Sequence, residues 1–296
     1  MSLRINHNVL AMGVHRNLLV NQLDLDSSLK NLSSGMRINS AWDDPTGLGI
    51  SERFRAQIVG MIEAERNANN NVNLLATADG ALSVIDEKLI RMRQISIQAS
   101  NGALTSTDRM VANVEFQQLK SEISRIANVT NYNGLSLLNG DFSAPETSNS
   151  TCLALSYAGS STSGSHALKF HIGANNVIGQ DYYYINLGAM TADALGIADI
   201  DICTTATAQA ALDLIDAAIE SKDVQRAFIG SVVERLQNTI LNLQISHETA
   251  QASESAIRDA DMAAEMMNFT RAQILMQSGL AMLSQANQIP SAVAQL

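Results

Sequence analysis

The sequence predicts a mainly α protein: long antiparallel coiled-coil helices, with paired terminal helices, a helical rod domain and a small β-hairpin region. Three observations predict it. Apolar residues recur every seven positions through two long segments. Both chain ends carry apolar residues at alternating spacings of four and three. The 296-residue chain is 46% hydrophobic but only 4% aromatic, so its core must use Leu, Ile, Val, Ala and Met, which suits helices packed side by side.

The first segment, 1–42, places Ile5, Val9, Met12, Arg16, Leu19 and Leu23 on one stripe of an amphipathic helix. "NSAWDDPTGLGISERFRAQ" follows. Asp44 is expected to accept hydrogen bonds from the free N–H groups of a new helix, and Pro45 suits its first position. The positive end of the helix dipole also favours the two carboxylates. A metal site at Asp43 and Asp44 is the competing reading. It lacks nearby ligands, since the next acid, Glu52, lies two turns along the helix.

Segment 43–142 holds two helices. Phe54, Met61, Ala68, Leu75, Leu82 and Leu89 keep seven-residue phase, and Ile58 and Val72 supply a second seam interrupted by Glu65, Asp79 and Asp86. A helix over 45–100 would be roughly 80 Å long. Asn101-Gly102 stops it. A second helix is expected at about 105–129, with Val111, Val114, Leu119, Ile123 and Ile126 on its apolar face. Two Asn-Gly turns in "NYNGLSLLNGD" end it.

Segment 143–205 differs in kind. It is rich in Ser, Thr and Gly, and "LKFHIG" and "QDYYYINLG" have strand composition, so a β-hairpin carrying a polar loop is predicted. Helix returns over 206–254, where Ile215, Ile229, Leu236, Leu243, Ala250 and Ile257 hold phase with Lys222 as the one lapse. Leu212, Ile219, Val233 and Ile240 share the second seam. In 255–296, Met262, Met266, Phe269, Gln273, Met276, Leu280, Leu283 and Asn287 form the last stripe. The two end helices need partners; the simplest are each other, and then other subunits.

Chemical motifs are weak throughout. Net charge is −10 with no Lys/Arg cluster, which argues against nucleic acid. No run of about 18 apolar residues is present, so no membrane span is expected. The first residues lack the apolar core and cleavage site of a signal peptide, which fits either a cytoplasmic chain or export by a route that reads no such signal. "HETAQ" puts Gln251 where the second His of a zinc helix would stand beside His247. Cys152, His166, His171 and Cys203 match no zinc-ligand spacing. "GLG" at 47–49 lacks the third glycine of a dinucleotide loop, and no G-x-S-x-G elbow occurs. No catalytic residue, metal or cofactor is expected.

Taken together, "INHNVLAMGVHRNLLVNQ", "LSSGMRINSAWDDPTGLGISERFRAQIVGM", "NLLATADGAL" and "NYNGLSLLNG" resemble the N-terminal region of bacterial flagellin. The stretch from "ERLQNTILNLQISHETAQ" to "SQANQIPSAV" resembles its C-terminal region, and "LKFHIGAN" and "GIADIDI" look like the family's hairpin segment. Residues 143–165 fit no family pattern. The resemblance implies a short flagellin: residues 1–42 and 255–296 as the coiled-coil D0, residues 43–254 as D1, and no large outer domain.

It further implies a structural subunit that polymerises into the extracellular flagellar filament for swimming motility. The polymerisation core would be Ile5, Val9, Met12, Leu19 and Leu23 with Met262, Met266, Phe269, Met276, Leu280 and Leu283. Expected partners are other copies of the chain, the flagellar cap and hook-junction proteins, the export apparatus, and a cytoplasmic chaperone on about 255–296. By the same resemblance, Arg91, Ile95 and Glu115 are candidate contacts for an animal Toll-like receptor. Outside the cell, Cys152 and Cys203 in the hairpin zone could close a disulfide. The alternative is a flagellin-like hook–filament junction protein.

Overall fold

The structure, a computed structural model, describes residues 8–142 and 167–293. They form helices α1 (Val9–Ser34), α2 (Pro45–Ser100), α3 (Ser106–Val129), α4 (Thr205–Arg258) and α5 (Met262–Val293). Strands β1 (Asn131–Tyr132) with β2 (Leu135–Ser136), and β3 (Leu168–His171) with β4 (Tyr182–Ile185), make two antiparallel pairs. The chain divides into two compact bodies. A terminal body contains residues up to Ile58 and from Glu248 onward, and a second body spans Val59–His247.

Helix boundaries follow local chemistry. Asn8 Oδ1 accepts the Ala11 N–H at the start of α1, and Gly35 ends the helix at φ +72°, a left-handed conformation that glycine adopts without steric cost. Asp44 Oδ1 accepts the Thr46 and Gly47 N–H groups at 3.0 and 2.9 Å and so caps α2, as expected. Asp43 does something else. Its Oδ2 accepts the N–H groups of Asn39 and Ser40, at 3.0 and 2.9 Å, and ties the preceding loop. Thr105 and Asp108 exchange side-chain-to-backbone hydrogen bonds in a capping box that opens α3.

In the Val59–His247 body, the predicted line Ala68, Leu75, Leu82, Leu89 is fully buried. The second line falls at Ala78, Ile85 and Met92, three residues after Leu75, Leu82 and Leu89 instead of four, and continues to Ala99. Asp79 and Asp86, read as interruptions, lie at the edge of the packed face. Helix α4 answers with Ala208, Ile215, Ile229 and Leu236, and with Ala211, Ala218 and Val232. On α3 the expected face is partly wrong. Val111 and Val114 are exposed, whereas Phe116, Ile123 and Ala127 are buried. The aromatic ring at 116 sets the facing direction because it carries the largest apolar area on the helix.

The predicted hairpin is β3–β4, with Phe170 opposite Tyr183 and their rings edge-on at 6.0 Å inside the core. A second hairpin, β1–β2, stands where the sequence indicates only turns. Asn133 at φ +50° and Gly134 at φ +82° form its two-residue bend, both in the left-handed region that an Asn-Gly pair tolerates.

In the terminal body α1 and α5 run antiparallel. Asn8 Nδ2 donates to the Ala286 carbonyl at 2.9 Å, and Asn31 Nδ2 to Glu265 Oε1 at 3.4 Å. Between these ends Gly279 sits against Leu18, where an added Cβ would stand 3.1 Å from Leu18 Cγ. The facing positions on α5 are Phe269, Ala272, Met276, Gly279, Leu283 and Ala286. On α1 they include Ala11, Val14, Leu18, Leu25 and Ser28.

Candidate assembly surface

The two end helices do pair with each other, but only in part along the stripes the sequence marks. Val9, Met12, Leu19 and Leu23 are all exposed, Met12 and Leu23 at 68%, and Ile5 lies outside the described residues. On α5, Met262, Met266 and Leu280 are exposed, while Phe269, Met276 and Leu283 are half-buried on the side facing α1. Small residues explain the difference. Ala272, Gly279 and Ala286 on α5, with Ala11 and Ser28 on α1, let the helix axes approach closely. They contribute little hydrophobicity, so a search for large apolar residues passes over them.

The consequence is an apolar surface turned outward on both helices. Sequence reading also missed Leu10, Val20 and Leu29 on α1, and Met267, Ile274, Leu275 and Met282 on α5, all of them exposed. They fall off the single stripe assumed for each helix. Their signal was present in composition, because α5 is apolar on more than one face. Met266, Met267, Thr270, Arg271, Ile274 and Leu275 line a shallow groove there. Burial of such a side chain contributes about 1.5–3 kcal/mol, and methionines adapt to irregular partners.

The loop joining α1 to α2 is firmly held. Lys30 Nζ meets Ser40 Oγ and Asp43 Oδ2, each at 3.2 Å. Backbone N–H groups of Asn39 and Ser40, and then Lys30, draw the Asp43 carboxyl down to about 2. At the end of α4, the Arg258 carbonyl accepts the Arg37 N–H at 2.7 Å, and the Arg258 guanidinium reaches Glu52 on α2 at 3.0 Å.

The other predicted site residues fall elsewhere. Arg91 on α2 and Glu115 on α3 are about half-exposed and form an ion pair at 2.7 Å. Ile95, the third of that set, is 2% exposed and packs into the core. The three therefore do not make one exposed patch, because Ile95 lies on the buried face of α2 one turn beyond Arg91. Cys203 is half-buried, and Cys152 and His166 lie outside the described residues. His171 stacks on Tyr182 in the hairpin. His247 is half-buried on α4 with Gln251 exposed one turn on. No helix among the described residues is long and apolar enough to cross a membrane.

Comparison with known proteins gives a consistent picture. Residues 5–143 match the bacterial flagellin N-terminal helical region, and residues 212–296 match the bacterial flagellin C-terminal helical region. The chain is 40% identical to the flagellar filament 33 kDa core protein of Treponema phagedenis, over 99% of each chain. It is also 40% identical to a flagellin of Halalkalibacterium halodurans, over 99% of this chain and 98% of that one. Among solved structures, a putative flagellar hook-associated protein from Vibrio parahaemolyticus aligns with a TM-score of 0.54 over 73% of this chain and 100% of its own. At 18% identity that likeness speaks to fold alone.

Proposed function

This chain belongs to the bacterial flagellin family, and from that premise we propose that the outward apolar faces of α1 and α5 are the polymerisation core of a flagellar filament. The family is a structural one, and the chain is a filament subunit serving motility. The observation that carries the proposal is the double apolar character of the end helices: each buries one stripe against the other and leaves a second in water. Different surfaces must meet on successive subunits, so the contact propagates as an open helix and does not close as a dimer.

Several finer points belong to the same reading. Residues 1–42 and 255–296 are the two halves of D0, and 43–254 form D1. The filament is extracellular, and subunits reach it through the flagellar export apparatus after release from a chaperone that holds about 255–296. Cap and hook-junction proteins bound the polymer at its ends. Arg91 and Glu115 are the exposed part of a Toll-like receptor contact on the free subunit, and Cys152 and Cys203 close a disulfide after export. Sedimentation and electron microscopy of the purified chain on filament seeds test the reading. Long filaments are expected, and a chain that stays monomeric on competent seeds would contradict it.

A further inference from the structure

We propose that Trp42 is an intersubunit anchor, its indole seating against a second copy of this chain when subunits assemble. The proposal rests on the filament reading above and extends it to a contact outside the terminal helices.

Trp42 is the only tryptophan of the sequence and is 94% exposed. Trp is the side chain that most often dominates a protein–protein contact, because it buries a large flat area at little conformational cost. Its loop is not slack. Asp43 Oδ2 accepts the Asn39 and Ser40 N–H groups and the Ser40 hydroxyl, at 3.0, 2.9 and 3.1 Å. Lys30 pins the same two side chains from α1, and Asp44 caps α2 on the other side. The backbone on both flanks of Trp42 is thus ordered, while the indole between them stays in water. An uncovered side chain on a backbone already ordered loses little backbone entropy on binding.

Position identifies the occupant. Val9, Met12, Leu19, Leu23 and Lys30 follow one another at helical spacing on the outward face of α1. Lys30, at the end of that face, holds Ser40 and Asp43, the residues that bracket Ala41 and Trp42. The apolar stripe that neighbouring copies cover in the polymer thus ends beside the loop that carries the exposed indole.

Because no other Trp exists, indole fluorescence reads this position alone. Emission and iodide quenching are measured on the full-length chain before and after seeded assembly, with sedimentation in parallel. A water-like spectrum and strong quenching are expected in the monomer, and a blue shift with severalfold weaker quenching in the pelleted filament. Trp42→Ser is expected to raise the critical concentration roughly tenfold, and Trp42→Phe to recover most of that loss, both with an unchanged far-ultraviolet circular dichroism spectrum. Normal filaments in which Trp42 stays water-like, or a Trp42→Ser chain that assembles at the wild-type concentration, would overturn this proposal and leave the filament reading standing. A wild-type chain that forms no polymer would overturn both.

Discussion

Lys222 Nζ lies 2.6 Å from Asp86 Oδ1, with the lysine side chain only 2% exposed between α4 and α2. Asp223 reaches the same ammonium at 2.6 Å, and Arg226 pairs with Asp79 at 2.8 Å along the same helix pair. Lys222, Arg226, Asp79 and Asp86 each fall on an apolar line of their own helix and break its pattern. Together they form a polar insert that pins the antiparallel register.

A buried ammonium that loses a carboxylate keeps its desolvation cost and loses part of its compensation. Asp86→Ala is therefore expected to destabilise the Val59–His247 body by about 2 kcal/mol, the remaining support coming from Asp223. Lys222→Met, similar in length and apolar, is expected to cost less, about 1 kcal/mol or below. Urea denaturation of both variants checks the ordering; equal losses would mean that the ammonium is not the element at stake.

The hairpin end depends on a glycine. A Cβ added at Gly173 would collide with Asp181 at its Cα as well as its carboxylate, and backbone cannot swing aside as a side-chain tip can. Asp181 also accepts the Asn175 and Val177 N–H groups at 3.1 and 2.9 Å, so it is locked in place. Gly173→Ala is expected to cost about 1–3 kcal/mol and to loosen β3–β4. Amide exchange along both strands, compared with the wild type, reads that change.

Asp43 gives the terminal body an acid-sensitive loop. Its folded carboxyl is lowered from 3.8 to about 2, so its contribution is fully present above about 4 and is lost as pH falls through about 2. The carboxyl titration followed by NMR is expected to have its midpoint near 2 and to move up toward the ordinary range in Lys30→Met. A midpoint already in that range in the wild type would remove the tie between Asp43 and the Asn39 and Ser40 backbone.

For the receptor contact, Arg91→Ala and Glu115→Ala are expected to weaken signalling by soluble subunits while leaving the fold in place, since both side chains are about half-exposed. Ile95→Ala should act differently. It truncates a buried residue and is expected to lower stability by about 2–4 kcal/mol. Signalling assays beside thermal melts separate the two behaviours; full signalling by the Arg91/Glu115 double variant would remove the contact.

The long helices were legible because a seven-residue recurrence over many turns leaves little else for the chain to do, and Asp44-Pro45 marks a start in local chemistry. The Lys222–Asp86 pair was not legible. Its members lie 136 residues apart, and each looks like a fault until the register is known. Strands β1 and β2 are two residues each, too short for any alternation to show. The end helices were read correctly as amphipathic and as mutual partners. Which stripe faces inward was only partly readable from hydrophobicity: Phe269, Met276 and Leu283 turn toward α1, but Ala272, Gly279 and Ala286 fill the rest of that face by allowing close approach, and Met262, Met266 and Leu280 are left outside. At Ile95 the resemblance to the family suggested a surface position, and the packing of α2 turned that side chain inward.

The most direct test of the assembly surface is the critical concentration for seeded polymerisation of Leu23→Asp and Leu280→Asp, measured by sedimentation. Both side chains are exposed in the single chain, Leu23 at 68% and Leu280 at 56%, so neither change should disturb the monomer, as circular dichroism will show. Within a filament each would bury a carboxylate without a partner. The expected result is folded monomer and no sedimentable polymer from either variant. Filaments from either at the wild-type critical concentration would contradict the assignment of the outward α1 and α5 faces as the polymerisation core.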